Sequence, residues 1–238
     1  MKLKACSLVF SSTLPADLFP GLGESRPRFL LPFAGRFTYL DFLLSPLARA
    51  GVRQHLVVTQ HHAELAHNYM ETAWGEGGWK VFPFIPDEGD ELFDKQMYSV
   101  FKDELSAYVF LAQVDHPCWF DVNDLVNELG MRVKAVQPVF GKRPGGVILV
   151  ERALLLEVLA DFVKKAVPAA GVLARAFQVL ARHTRLKQVP VEGFYLPINT
   201  LGQYIKANLA VLDQQERFRA LFTRVPLQSG LGDKSQAL

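Results

Sequence analysis

The sequence predicts an α/β protein with a mostly parallel, mixed sheet and helices on both of its faces. Short apolar runs bounded by polar residues recur along the chain, as expected for strands that are covered on both sides. Longer segments with apolar residues at helical spacing lie between these runs. Alternation of strands and helices is typical of a parallel sheet, in which a helix connects one strand to the next.

Composition sets limits on the class of protein. With 238 residues, half of them hydrophobic, the chain can bury a full core, and its net charge of +2 gives no electrostatic case for nucleic acid binding. Two cysteines, Cys6 and Cys118, argue against a disulfide scaffold. The N-terminal apolar run is too short for a signal peptide, and no run of about 18 apolar residues predicts a membrane span. We therefore expect a cytoplasmic protein.

The first elements come from residues 4–60. Residues 4–12 predict a buried strand, and an arginine-containing loop then leads to a helix that ends at Gly51, a usual helix C-terminal signal. Two starting points remain open for this helix. Ser45 would cap it with Pro46 in the first turn, or the helix would begin near Leu40 and bend at the proline. Residues 55–59 predict the next strand.

The later elements follow from the same patterns. In the helix at 61–74 we expect Leu65, Tyr69 and Trp74 to face inward, and in one at 91–101 we expect Leu92, Met97, Val100 and Phe101 in the core. The remaining predicted elements are a strand at 81–85, a strand within 107–117, a helix at 120–129, a strand and helix within 145–162, and a basic helical region at 163–187.

Three islands of the sequence resemble a known family. Residues 32–60, PFAGRFTYLDFLLSPLARAGVRQHLVVTQ, are similar to PFGGKYRLIDFxLSNxxNSGIxxxxVxTQ of bacterial ADP-glucose pyrophosphorylases. Residues 107–117, AYVFLAQVDHP, resemble YVVILAGDHIY, and residues 191–213 resemble xxGYWxDVGTxxxYxxANxDLL. The resemblance implies a Rossmann-like nucleotidyltransferase sheet in one domain over residues 1–222, with a shortened sugar-binding part. It also implies a tail at 223–238 in place of the family's C-terminal β-helix.

The resemblance identifies a candidate nucleotide site after the first strand. In the family, a glycine-rich loop and its arginine hold the nucleotide triphosphate there. Ser11 and Ser12 stand at glycine positions in this chain, and Asp17 stands near the arginine position. Glycines let the backbone approach a phosphate, and a carboxylate beside a triphosphate repels it. The change argues against full catalytic activity.

Three arginines follow this loop: Arg26, Arg28 and Arg36. The resemblance implies a phosphate or nucleotide role for them, because the family has a phosphate-contacting lysine near Arg28. A guanidinium can bind such an anion through two parallel hydrogen bonds. The alternative is a solvated loop that happens to carry three charges.

The resemblance also marks the metal and sugar positions. Asp115 matches the aspartate that holds Mg²⁺ in the family, which makes it the candidate catalytic residue and metal ligand; the alternative is a capping or turn aspartate. Pro197 stands where the family has its second Mg²⁺ aspartate, and its side chain offers no oxygen. Lys142 is a weak match for the lysine that contacts the sugar phosphate.

These replacements lead to three functional hypotheses. The first is a noncatalytic, regulatory or scaffolding relative in glycogen or sugar-nucleotide metabolism, which assembles with itself or with a catalytic relative. The second is an active sugar-1-phosphate nucleotidyltransferase, which would convert a nucleoside triphosphate and a sugar 1-phosphate into a nucleotide sugar and pyrophosphate. The third is a stand-alone protein that binds a nucleotide or a sugar phosphate.

Overall fold

The computed structural model describes residues 4–11, 27–35, 37–59, 62–75, 78–83 and 91–213. The main sheet runs in the order β11-β8-β10-β6-β1-β4-β5, and β9 pairs with β8 at its side. Two further pairs, β2 with β3 and β7 with β12, form small separate sheets. The strands are β1 (Ala5–Phe10), β2 (Pro32–Phe33), β3 (Phe37–Thr38), β4 (Gln54–Thr59), β5 (Trp79–Pro83), β6 (Tyr108–Gln113), β7 (Cys118–Phe120), β8 (Ala135–Phe140), β9 (Arg143–Pro144), β10 (Val147–Glu151), β11 (Leu186–Pro190) and β12 (Gly193–Tyr195).

Strand directions confirm the predicted mixed sheet. The neighbours β6, β1, β4 and β5 are all parallel. Strand β10 runs antiparallel to both of its neighbours, β6 and β8, and β11 is parallel to β8. The central strands β1 and β6 are almost entirely buried, as their continuous apolar sequences predict.

Helices cover both faces of the sheet. Side chains of α1, α2, α4 and α7 pack in one core cluster, and those of α3, α5 and α6 pack in the other. Within the described ranges, no helix combines the length and the apolar character needed to cross a membrane. The helices are α1 (Tyr39–Arg49), α2 (Ala63–Trp74), α3 (Lys95–Glu104), α4 (Val122–Val126), α5 (Arg152–Lys164), α6 (Val172–Ala181) and α7 (Leu201–Leu212), with a 3-10 turn at Arg28–Leu30.

Helix α1 takes the earlier of the two predicted starting points. It begins at Tyr39, and Pro46 lies within it. Thr38 caps the helix, and its backbone N–H donates to the carboxylate of Asp41 over 2.8 Å, which closes a capping box. This cap fixes the start well before Ser45, which is buried in the middle of the helix.

Two predicted inward faces are partly wrong. In α2, Leu65 is 39% exposed, and the core contacts come from Ala66 and Met70. In the 91–101 segment, Leu92 and Val100 are exposed. The helix there begins only after Asp94, whose side chain caps it, so Leu92 precedes it. Since neighbouring helix positions are about 100° apart, an error of one residue moves a side chain from the core to the surface.

The region 163–187 is not one helix. Helix α5 ends at Lys164, α6 covers Val172–Ala181, and the last residues enter strand β11. Gly171 caps α6 in the left-handed conformation, with a φ of +70°. The basic residues of this region are distributed over two helices, the segments that follow them and an edge strand.

The pairing of β7 with β12 positions the segment of chain that leads into α7. Gly193 pairs with Phe120, and its φ is +150°. A Cβ atom at this position would lie 2.0 Å from the carbonyl oxygen of Trp119, so only glycine allows the two backbones to approach this closely. The contact holds β12 against β7, directly before the turn that leads into α7.

Candidate functional site

The candidate site lies at one edge of the main sheet. Strands β1 and β6 are parallel, so Ser11 and Asp115, which follow them, lie at the same edge. Ligands of open α/β sheets bind beyond this carboxyl edge. The turn between β12 and α7 is attached here as well, because the N–H of Leu196 donates to the carbonyl oxygen of Pro117 over 3.1 Å.

Asp115 lies two residues beyond the end of β6. One of its oxygens, Oδ2, accepts a hydrogen bond from Nε2 of Gln113 over 2.6 Å, and the intervening Val114 is buried. In the ungapped match of residues 108–116 to YVVILAGDH, Asp115 coincides with the aspartate of the family. The structure places it just beyond the carboxyl end of β6.

His116 is a neutral hydrogen-bond acceptor. Burial lowers its pKa to about 4, the positive charge of Arg28 acts in the same direction, and Asp115 opposes both. Its Nδ1 accepts the backbone N–H of Ile198 over 3.0 Å. Since Nδ1 is the acceptor of a neutral ring, Nε2 carries the proton.

Arg28 holds the other side of Ile198. Its Nη2 donates to the carbonyl oxygen of Ile198 over 2.6 Å, and the arginine is only 7% exposed. The backbone of the fully buried Ile198 is thus bound on both sides, by His116 and by Arg28. For Arg28, the alternative of a solvated loop is wrong. Arg26 and Arg36 lie outside the described residues.

The guanidinium of Arg28 has few partners for a buried charge. Its Nε is buried and makes no hydrogen bond. Across the described ranges, no carboxylate forms an ion pair with it. Arginine has five N–H donors, and burying a charge is costly unless the charge is paired.

Two tyrosines contribute to the same surroundings. The hydroxyl of Tyr39 is buried without a hydrogen-bond partner, and the charge of Arg28 acts on it. The ring of Tyr195 meets the His116 ring edge-on, with 5.6 Å between centroids, and stacks on Phe140 at 5.8 Å. Burial raises the pKa of Tyr195 to about 12.

The residues that sequence reasoning missed are Tyr39, His116 and Tyr195. All three lie inside the segments that resemble the family, next to residues that were considered, so proximity to the motifs was the available signal. Their roles depend on contacts with other parts of the chain, which spacing alone does not reveal.

The remaining predicted site residues are more dispersed. Ser11 directly follows β1 and is partly buried, whereas Ser12 and Asp17 lie outside the described residues. Lys142 is exposed in the turn between β8 and β9. The charge of the next residue, Arg143, acts to lower the pKa of Tyr195, as does that of Arg28. Lys142, the predicted sugar-phosphate lysine, is thus adjacent in sequence to Arg143, which affects the pKa of Tyr195.

Asp41 is a second buried acid, and its oxygens are fully engaged. Its carboxylate accepts hydrogen bonds from the backbone and hydroxyl of Thr38, from the hydroxyl of Tyr69, and from Nε1 of Trp74 at 3.1 Å. Burial raises the pKa of Asp41, and these donors oppose the shift. This buried acid joins α1 to α2.

The resemblance implies a Mg²⁺ ion, which needs several oxygen ligands from the chain or its substrate. Among the residues that the structure describes, no three of His, Cys, Asp and Glu gather into a metal-binding group. Pro197 offers no side-chain oxygen, and the oxygens of Asp41 already accept four hydrogen bonds. Mg²⁺ requires near-octahedral oxygen coordination. The described donor set does not fit this ion, and a buried cationic side chain lies in the same place.

Comparison with known proteins supports the resemblance. A glucose-1-phosphate adenylyltransferase of Corynebacterium efficiens is 28% identical over 122 residues, which are 47% of this chain and 30% of that protein. The enzyme of the same name from Methylococcus capsulatus is 37% identical over 54 residues, covering 23% of this chain and 13% of that protein. The chain thus spans less than a third of the length of these relatives. No family model matches it.

Comparison with solved structures supports the fold. A Bacillus anthracis structure described as a glucose-1-phosphate thymidylyltransferase, in complex with sucrose, aligns with a TM-score of 0.63 and 12% identity. The alignment covers 88% of this chain and 96% of that one. The chain therefore has the Rossmann-like nucleotidyltransferase fold, and part of its sequence is similar to glucose-1-phosphate adenylyltransferases.

Proposed function

We propose that this chain is a noncatalytic member of the nucleotidyltransferase fold that acts by association, with a regulatory or scaffolding role in glycogen or sugar-nucleotide metabolism. Nucleotidyl transfer needs a cationic environment for the triphosphate and a metal ion that bridges its oxygens. The proposal rests on how this chain has rebuilt the place where those groups would act.

The turn between β12 and α7 carries the proposal. In the family, this turn presents an aspartate to the metal, whereas here it contains Pro197. The next residue, Ile198, is fully buried, and its backbone is bound by His116 and Arg28. The turn therefore directs its polar groups toward the protein instead of toward a substrate. Loss of such a metal ligand removes transition-state stabilisation that no described neighbour replaces.

Helix α7 supplies a surface for association. Four large apolar side chains, at spacings of four, four and three residues, are exposed along one side of this helix. They are Leu201, Ile205, Leu209 and Leu212. Ile205 is 50% exposed and Leu209 is 56% exposed. A contiguous exposed apolar patch usually marks a site of protein–protein contact, and we assign it to a second copy of this chain.

An activity assay tests the noncatalytic proposal. Purified protein is incubated with Mg²⁺, glucose 1-phosphate and, in separate reactions, ATP, dTTP and UTP, and pyrophosphate release is measured. We expect no turnover above that of the Asp115→Asn variant, which is the matched control. Turnover that the wild type shows and Asp115→Asn lacks would instead establish the active sugar-1-phosphate nucleotidyltransferase.

Light scattering after size-exclusion chromatography tests the association. We expect the wild type to elute as a dimer or a larger assembly, and the Ile205→Asp/Leu209→Asp variant to shift toward the monomer with an unchanged circular dichroism spectrum. Val179→Asp is the control, since Val179 is an exposed apolar residue on α6. A monomeric wild type would refute the assignment of α7 to a second copy.

A further inference from the structure

We infer that a basic surface at one end of the main sheet binds an acidic segment of a partner protein. The surface consists of residues 130–134 and 182–187, which we call the basic loop pair. The inference goes beyond the proposed function, because it concerns a second association surface, outside α7, and the chemistry of the partner that this surface fits. It follows from the position of the two loops, from three arginines and from one exposed methionine.

The basic loop pair lies at the end of the sheet opposite the candidate site. Residues 130–134 lead into β8 and residues 182–187 lead into β11, and these strands are parallel. The backbone N–H of Lys134 donates to the carbonyl oxygen of Arg185 over 3.2 Å, so the loops adjoin. Because β10 runs antiparallel to both β6 and β8, β8 starts at the end of the sheet away from Asp115.

Three arginines of the basic loop pair have no acidic partner among the described residues. All three side chains are exposed, and no described carboxylate forms an ion pair with them: Arg132, Arg182 and Arg185. Like charges on adjoining loops repel each other, and carboxylates of a partner would relieve this repulsion. A guanidinium binds a carboxylate through two parallel hydrogen bonds. The arginines therefore fit a partner that presents several carboxylates.

The lysines of the same surface are already neutralised by carboxylates of this chain. Nζ of Lys134 lies 2.7 Å from a carboxylate oxygen of Glu151, and Lys187 forms an ion pair with Glu128. The uncompensated charge is thus confined to the arginines. Nucleic acid binding generally uses a longer basic surface on a strongly basic domain, whereas the net charge of this chain is +2. A short acidic protein segment is the better match.

An exposed methionine adds an apolar contact to this surface. Met131 is 96% exposed and precedes Arg132 in the chain. The flexible thioether side chain of methionine adapts to partners of different shape. A segment with an apolar residue among its acids would cover Met131 while its carboxylates bind the arginines. A lipid surface fits less well, because membrane binding buries a broad apolar face and Met131 is the one large apolar side chain exposed in residues 130–134 and 182–187.

Hydrogen bonds hold both loops in place. The N–H of Gly130 donates to the carbonyl oxygen of Val133 over 3.3 Å, and the N–H of Arg185 donates to Nδ1 of His183 over 3.1 Å. The loops are therefore ordered on folding, so a partner does not have to order them. Preorganisation of this kind favours binding because less conformational freedom is lost.

Fluorescence anisotropy with the full chain tests the inference. The probe is a labelled peptide of sequence EELDELEE, and the control peptide QQLNQLQQ keeps the leucines without the charges. We expect the acidic peptide to bind at physiological ionic strength, where salt screens nonspecific attraction between exposed charges, and the control peptide not to bind. Absence of binding by the acidic peptide, binding at low salt only, or equal binding of both peptides would refute the inference.

Two further probes test the class of partner. They are a single-stranded DNA of the same net charge as the peptide and vesicles that contain phosphatidylserine. We expect both to bind more weakly than the acidic peptide at physiological ionic strength. Tighter binding of either one would overturn the assignment to a protein partner.

Charge reversal locates the binding surface. We expect Arg132→Glu/Arg185→Glu to weaken binding of the acidic peptide by about tenfold or more. Lys95→Glu/Lys164→Glu is the matched control, because it changes the net charge equally at exposed positions on α3 and α5. Equal weakening by the two double variants would show that net charge alone attracts the peptide, and the assignment to the basic loop pair would be wrong.

Variants that keep the net charge test the specific contacts. Arg132→Lys/Arg185→Lys should weaken peptide binding, since an ammonium group lacks the planar fork that binds a carboxylate through two hydrogen bonds. Met131→Gln should weaken binding a few-fold, because it removes the apolar contact. Unchanged affinity in both variants would reduce the interaction to general charge attraction and contradict the inference.

The test is distinguishable from those of the proposed function. The Ile205→Asp/Leu209→Asp variant should bind the acidic peptide as the wild type does, because α7 is not part of the basic loop pair. Loss of peptide binding in this folded variant would refute the assignment to the two loops. Nucleotidyl transfer would refute only the noncatalytic proposal. Circular dichroism checks the folding of each variant, and the wild-type titration decides the inference even if a variant does not fold.

Discussion

Asp41 and Arg28 are both charged and both buried, yet their surroundings differ sharply. The carboxylate of Asp41 is 2% exposed and accepts four hydrogen bonds from described residues. The guanidinium of Arg28, at 7% exposure, donates one. A buried charge with a complete set of partners holds a fold together, whereas one with an incomplete set is suited to a ligand. Asp41 lies inside the first segment that resembles the family, whereas Arg28 lies just before it.

The largest effect is expected at Asp41. Replacement by alanine leaves the Thr38 N–H, the Tyr69 hydroxyl and the Trp74 indole N–H without their acceptor, so the Asp41→Ala variant should lose about 3–5 kcal/mol of the free energy of unfolding. Urea denaturation measures this loss. Asp103→Ala, at an exposed position on α3, should stay within about 0.5 kcal/mol of the wild type. A small loss at Asp41 would mean that its hydrogen bonds are dispensable.

Acid should destabilise the protein through His55. This histidine shares a 2.9 Å hydrogen bond with Ser7, and burial lowers its pKa to about 4 from an ordinary value of 6.5. The unfolded chain therefore takes up the proton first as the pH falls. Stability is complete above about pH 6.5 and declines toward pH 4, by an amount on the order of 3 kcal/mol.

The urea midpoint, measured across this pH range, tests the role of His55. The His55→Asn variant should show a smaller decline than the wild type, and the remaining decline should come from His116, whose pKa is also lowered to about 4. Burial raises the pKa of Asp41, so protonation of this acid acts in the opposite direction. Identical pH profiles for the wild type and His55→Asn would contradict the assignment.

A smaller effect is expected at the start of α7. The hydroxyl of Thr200 accepts the N–H of Gln203 over 3.2 Å and caps the helix. Thr200→Ala should cost about 1 kcal/mol of stability. Thermal unfolding measures this loss, and Asp94→Ala, which removes the cap of α3, should cost a similar amount.

The smallest change in stability is expected at Arg28. Arg28→Met removes the hydrogen bond to Ile198, but it also removes a buried charge that has few partners, and the two effects oppose each other. Without ligand, the variant should unfold within about 1 kcal/mol of the wild type. A loss as large as that of Asp41→Ala would show that Arg28 is structural, and the distinction between the two residues would fail.

The main sheet could be predicted because each of its buried strands is a short apolar run that can be recognised from the local sequence. The apolar runs of β1, β4, β6 and β10 predicted buried strands. The three segments that resemble the family follow one another in the same order as they do in the family. The capping box at Thr38 and Asp41 was not predicted, although a threonine followed three residues later by an acid is a helix-start signal.

The candidate site was less predictable for a physical reason. Arg28 and Ile198 are 170 positions apart, and His116 and Ile198 are 82 apart. No periodic pattern encodes such a contact, and burial of an arginine in a loop contradicts the usual preference of that residue for the surface. The orientation of α2 failed for a different reason, because Leu65 and Ala66 are both apolar and only packing chooses between them.

The close approach at Gly193 has a consequence for sequence variation in this protein. Any larger residue would force the strand away from Trp119 and carry Tyr195 and Ile198 with it. The geometry of the candidate site at the sheet edge thus depends on position 193 having no side chain larger than a hydrogen atom, although this position lies outside the site itself. A saturation library would be expected to show position 193 as intolerant, while the exposed turn at Lys142 accepts most exchanges, and that contrast would owe nothing to catalysis.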